Sequence, residues 1–254
     1  MKQLLLICAV VALVGCGEEA DVKIGESVAV KPESMAAQKG PSEEDRQLQE
    51  AWKAAAAQLE AAAKAKVAAD IEAAIRKAAK KPEGELTKAD REMVTELDLG
   101  SSEITDASVL AGLIKLKKLT LVGNSLANVD ALAEFTELRE LYLGWNQLAD
   151  ISGLAGLTQL EELYLDHNQI NDIRPLAGLT QLDKLWLHDN HLADVNALAG
   201  LTNLFMLNIH NNQLTDVGAI ANLEKLRHFR LDNNKLTKAQ VDKLKKALPK
   251  CIFY

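Results

Sequence analysis

The strongest constraint on this chain is a period. From Val94 onward the sequence repeats every 22 residues without slip, with units opening at Val94, Leu116, Leu138, Leu160, Leu182, Leu204 and Leu226. A unit this short cannot bury its own apolar residues, so copies must stack and cover one another. One unit reads Leu160-Glu161-Glu162-Leu163-Tyr164-Leu165-Asp166-His167-Asn168-Gln169-Ile170 and closes through Ile173, Leu176 and Leu179. With slots counted from the opening residue, slots 3 to 7 alternate polar and apolar, which predicts a short half-buried strand. Slot 9 holds Asn124, Asn146, Asn168, Asn190, Asn212 and Asn234, with Ser102 in the first unit. An asparagine carries donor and acceptor together, so it can satisfy turn backbone inside a stack. Leu126, Leu148, Ile170, Leu192 and Leu214 are expected to refill the core after the turn, and Leu132, Leu154, Leu176 and Leu198 to return to it. Asp150, Asp172, Asp194 and Asp216 read as turn or cap residues for the outer segment.

The pattern Leu-x-x-Leu-x-Leu-x-x-Asn-x-Leu resembles the leucine-rich repeat. The Asp172-Ile173 and Leu176-Ala177-Gly178-Leu179-Thr180 segments, and their counterparts in other units, resemble those of the internalins and related bacterial repeat proteins. The resemblance covers about residues 70 to 254 and implies an α/β fold class. The architecture expected is a leucine-rich-repeat solenoid: a parallel β-sheet on the concave face, 3-10 or short helical turns on the convex face, and helical caps at both ends. In that family the concave sheet binds proteins. No immunoglobulin-like or wall-anchoring segment follows the repeats, so host-cell attachment is not expected to carry over.

The repeats span 94–236. A stack exposes apolar ends, and both ends carry cap signals. Residues 81–93 read as an N-terminal cap in which Thr87 and Asp90 resemble a capping box. Residues 237–254 read as a C-terminal cap: Thr237 and Gln240 open a helix through Val241, Leu244 and Leu248, and Ile252-Phe253 is expected to seal the last layer. Upstream, 42–80 is an Ala-rich helix with no Pro or Gly between Asp45 and Lys80. Leu48, Trp52, Leu59, Val67, Ile71 and Ile75 mark one stripe along it. The second half of this helix is expected to pack on the solenoid, and the first to serve as a stalk or a self-associating seam.

The N-terminus reads as an address. Lys2 precedes an apolar run from Leu4 to Val14, too short to span a bilayer but suited to a signal peptide over 1–15. The run ends in Leu13-Val14-Gly15-Cys16, which resembles the bacterial lipobox. That resemblance implies lipidation of Cys16 and, from Gly17 rather than Asp after it, an outer-membrane address in the bacterial cell envelope. Two acyl chains suffice for stable anchoring. Residues 16–41 lack periodicity and carry Gly25, Pro32, Gly40 and Pro41, so they read as a flexible tether.

The concave face carries the functional signal. Slot 5 runs Asp98, Thr120, Tyr142, Tyr164, Trp186, Asn208, Arg230, so three aromatics stand on neighbouring strands about 4.8 Å apart. Trp145, His167 and Arg139 flank them, and Phe205 and Met206 follow one unit on. Aromatics make up only 4% of the chain, yet many gather here. Clustered Tyr, Trp and Arg are the composition of a protein-binding hot spot. The rings could instead merely steady the sheet by cross-strand packing. Binding is preferred because leucine already fills the core slots. The expected partner is a protein.

Slot 7 runs Gly100, Val122, Gly144, Asp166, His188, His210, Asp232. Asp166, His188, His210 and Asp232 offer zinc-type ligands, but four in a straight row cannot converge on one ion. Two or three could, with His167 or Asp189; otherwise the row is a polar rim. No cofactor is expected. Nor is an enzyme, for the sequence contains no G-x-S-x-G, H-E-x-x-H or phosphate loop. A net charge of −7 argues against nucleic acid. Cys251 reads as a small core filler.

Overall fold

The computed structural model describes residues 43–254. The signal peptide, Cys16, the tether and the Ser42 helix start lie outside the described residues. The chain divides into two units, Met1–Ala51 and Trp52–Tyr254, and the second holds the repeats and both caps.

Helix α1 spans Glu43–Ala78. Alanine keeps it helical, and exposed pairs one turn apart support it: Lys64–Glu60 at 2.7 Å, Lys66–Asp70 at 2.9 Å and Arg76–Glu72 at 2.6 Å. Leu48, Trp52 and Leu59 are exposed. Towards its end Ile71 and Ile75, with Ala79 just beyond, are buried in the repeat core, and Val67 packs against it. No helix among the described residues is long and apolar enough to cross a membrane.

Helix α2, Lys88–Glu92, opens on a capping box between Thr87 and Asp90, with Lys81 Nζ 2.5 Å from the Asp90 carboxylate. Eight strands follow: β1 Glu96–Asp98, β2 Lys118–Thr120, β3 Glu140–Tyr142, β4 Glu162–Tyr164, β5 Lys184–Trp186, β6 Met206–Asn208, β7 His228–Arg230 and β8 Ile252–Phe253. They form one parallel sheet in sequence order, each residue of β1 to β6 pairing with the residue 22 positions on. The fixed period becomes a fixed register, and every slot becomes a column. The convex side carries six 3-10 turns, from Ala107–Leu110 to Gly218–Asn222.

Two ladders tie rung to rung. Leucines of slots 4 and 6 and of the convex turns fill one continuous core, nearly all below 5% exposed. Beside them runs the asparagine column. Asn168 Nδ2 donates to Leu165 O in its own rung and to Leu143 O in the rung before, while its Oδ1 accepts from Leu148 N at 3.0 Å. The same three-way bridge recurs at Asn124, Asn146, Asn190, Asn212 and Asn234. Asp106, Asp150, Asp172, Asp194 and Asp216 each accept from the backbone N–H two residues on and so start the 3-10 turns.

At the C-terminus α3, Lys238–Ala247, opens on the Thr237–Gln240 capping box and buries Leu244, with Leu248 buried at its C-cap. The tail after it does more than cap. It adds β8 to the sheet, with His228 opposite Ile252 and Phe229 opposite Phe253. Strand alternation then divides the expected seal. Phe253 packs on Phe229 at 5.7 Å, whereas Ile252 faces outward and is 52% exposed.

Candidate protein-interaction surface

Register builds the aromatic column. Tyr142 lies opposite Tyr164, and Tyr164 opposite Trp186. Leu141, Leu163 and Leu185, one residue earlier, are fully buried, so alternation turns the three rings to the open face. The rings stack at 4.5 Å (22° between planes) and 4.2 Å (12°). Both faces of Tyr164 are thus covered, and that residue offers an edge and a hydroxyl rather than a ring face. The rings pack across the strands and line the open face.

Charged rows frame the column. In slot 3, Lys118 pairs with Glu140 and Lys184 with Glu162, both at 2.6 Å. In slot 2, Arg139 pairs with Glu161. The Tyr142 hydroxyl donates to Glu140 at 2.9 Å, and the Tyr164 hydroxyl reaches Glu162 at 3.4 Å. Burial, and after it these carboxylates, pushes both phenols well above the ordinary tyrosine range. Phe205 is exposed just before β6, and Met206, the first residue of that strand, is half-buried. Beside Phe205 lies an open depression of about 510 Å³ edged by Glu161, Glu162, Asp183, Lys225 and Arg227.

Slot 8 was the least legible in the sequence. Its backbone is left-handed in every unit: Ser101, Gly123, Trp145, His167, Asp189, Asn211 and Asn233 all have φ between 51° and 68°. Gly, Asn and Asp suit this conformation and His tolerates it; Trp does not, and a bulky residue there costs on the order of 1–3 kcal/mol. Trp145 is nevertheless 59% exposed, with one face stacked on His167 at 3.8 Å. The Gly123-Asp189-Asn211-Asn233 column was the available signal, since these are the residue types that tolerate positive φ.

The polar row resolves differently from its slot-7 listing of ligands. Asp232 accepts from Arg230 Nε at 2.9 Å and belongs to neither group of converging ligand atoms. Asp166, His167 and His188 bring ligand atoms within 4.8 Å of one another, and so do His188, Asp189 and His210. Gly144 makes room for Asp166: a Cβ there would lie 2.9 Å from the Asp166 carboxylate.

A coil of parallel rungs, each with a three-residue strand and a 3-10 return and most with an asparagine turn, defines a repeat-built interaction scaffold. The chain belongs to the leucine-rich-repeat family, as an internalin-like bacterial member. The family model "Leucine Rich repeats (2 copies)" matches residues 136–178, 158–200 and 202–246. Among solved structures, internalin C2 of Listeria monocytogenes is 32% identical over 72% of this chain and 80% of that one, with a TM-score of 0.66. Another internalin of the same organism is 26% identical over 73% and 74%, with a TM-score of 0.40. A leucine-rich-repeat protein of Leptospira interrogans is 21% identical over 59% and 51%, with a TM-score of 0.45. No curated protein matches the chain.

Proposed function

We propose that the chain is a lipid-anchored protein-interaction module of the bacterial cell envelope. It binds a partner protein on the concave sheet through Tyr142, Tyr164, Trp186 and Trp145, with Arg139, His167, Phe205, Met206 and Arg230 around them. The observation that carries this reading is Trp145. A large indole stands mostly in solvent on a backbone that disfavours it, which a purely structural role does not account for. Family membership supports protein binding as the general activity. The internalins are expected to bind through this same face, and the shallow, open surface suits a protein better than a small substrate.

Crosslinking in intact envelopes tests the reading. The wild-type chain should yield a discrete crosslinked species that Trp145→Asn with Tyr164→Ala removes, while circular dichroism of the variant stays native. A species that persists in a folded double variant would overturn the concave-face assignment. The anchor rests on Cys16 and the sequence before it. Metabolic labelling with palmitate should mark the wild type and not Cys16→Ala, and unlabelled wild type would remove the membrane part of the proposal.

A further inference from the structure

Beside the aromatic column, the strand ends of three consecutive rungs gather imidazoles around a single carboxylate oxygen. Asp189 Oδ2 lies 3.5 Å from His167 Nε2, 3.6 Å from His210 Nε2 and 4.0 Å from His188 Nε2. The His188 and His210 rings are stacked at 4.5 Å, nearly parallel. Nothing in the repeat demands histidine here, since Gly100, Val122 and Gly144 fill slot 7 in earlier rungs.

We propose that His188, Asp189 and His210 form a divalent transition-metal site, with zinc as the ion that suits it best. The donor set decides the ion. Imidazole nitrogen with one carboxylate suits zinc, whereas calcium and magnesium call for oxygen donors throughout. Distance supports it as well. Zinc bonds of about 2.0–2.1 Å in a tetrahedron put neighbouring ligand atoms roughly 3.3 Å apart, and the ligand atoms of His188, Asp189 and His210 already lie within 4.8 Å of one another.

Two neighbours aim the ligands as the outer shell of a metal site does. His210 Nδ1 donates to Asn208 Oδ1 at 2.6 Å, and the same oxygen also accepts from His210 N at 3.4 Å. That fixes the tautomer: the lone pair of His210 sits on Nε2 and faces the Asp189 carboxylate. Asn211 Nδ2 donates to Asp189 Oδ1 at 2.7 Å and leaves Oδ2 turned to the imidazoles. Two acceptors, His210 Nε2 and Asp189 Oδ2, therefore confront each other at 3.6 Å, an arrangement a cation between them relieves. His188 has a buried Nδ1 with no hydrogen-bond partner, so no polar contact there accounts for this ring.

Asp189→Asn is the decisive variant, because Asn211 and Asn233 already occupy this left-handed slot in the next two rungs and the fold should not notice the change. Calorimetric titration of the metal-free full chain with zinc chloride should show one ion per chain. Asp189→Asn and His210→Ala should each weaken it about tenfold or more, as loss of ligand-sphere groups does. His191→Ala, an exposed histidine outside the cluster, should leave it unchanged. Cobalt(II) in place of zinc should give visible d–d bands without a thiolate charge-transfer band. No saturable binding up to about 1 mM zinc, the weak limit worth calling a site, overturns the proposal. So does equal binding by wild type and Asp189→Asn, or an equal loss in His191→Ala. None of these readouts involves a partner protein, so the metal site and the interaction surface stand or fall separately.

Discussion

The Tyr164 ring lies 4.2 Å from the Trp186 ring with 12° between their planes, and 4.5 Å from Tyr142 on its other side. Both distances are shorter than the strand spacing of about 4.8 Å, so the rings lean together across the rungs. The stack is a direct product of unslipped register. A one-residue slip between β4 and β5 would turn one ring into the core and set a leucine outside.

The stack fixes how the tyrosines titrate. Burial first, and the Glu140 and Glu162 carboxylates next, raise the pKa of Tyr142 and Tyr164. Ultraviolet titration should therefore leave both phenols protonated at about pH 11, where an ordinary phenol with a pKa near 10 has mostly ionised. The linkage sign follows. The folded chain keeps protons that the unfolded chain gives up, so the contribution to stability is complete below the ordinary phenol value and is lost as pH rises through the raised one. Trp186→Ala uncovers one face of Tyr164 and should bring that phenol down, with less effect on Tyr142. Ordinary titration of both in the wild type would contradict the stack.

Asn168→Ala should destabilise the solenoid by about 1–3 kcal/mol in urea denaturation. It strands Leu148 N, buried between rungs, and an unpaired buried backbone group costs that much; Leu143 O keeps its bond from Asn146 Nδ2. The same change at Ser102 in the first unit, whose side chain donates only to Gly100 O, should cost far less. Equal losses at the two positions would mean that the asparagine ladder is not what couples the rungs.

The solenoid could be read from the sequence because its two determinants are local and repeated: leucine at fixed slots for the core, asparagine at slot 9 for the turn. The direction of Tyr142, Tyr164 and Trp186 followed from strand alternation alone. The rest depended on backbone conformation, which side-chain periodicity does not encode. Position 8 carries Trp145, His167 and Asp189 on left-handed backbone, and that turn is what brings Asp189 alongside His188 and His210 although a strand would point consecutive residues apart. Strand β8 was hidden for another reason: Ile252-Phe253 is two residues long and lies outside the 22-residue period, so no pattern could announce it.

Gly153 breaks the pattern of its own column, where Ala131, Pro175, Ala197 and Ala219 stand in other units. Its rung sits closer to the one before: a Cβ at 153 would lie 2.4 Å from Val129 O and 2.8 Å from Asp130 Cα. Both obstacles are backbone and cannot swing aside. Gly153→Ala should therefore cost about 1–3 kcal/mol, the usual range for overpacking, even though it restores the consensus residue. Thermal unfolding would decide it, and an unchanged or raised midpoint would show that the rungs part without strain.

Trp145→Asn separates surface from scaffold. The variant gives up the stack on His167, a contact worth about 0.5–1.5 kcal/mol for aromatic pairs and less when half in water. It gains a residue at home in left-handed backbone, relieving strain of the order of 1–3 kcal/mol. The two effects oppose, so the folding free energy should move by less than about 1 kcal/mol or rise slightly, as exchanges between function and stability commonly do. Partner crosslinking should fall sharply in the same protein. A loss of more than about 1 kcal/mol would instead make the indole a structural brace and would remove the observation on which the interaction surface rests.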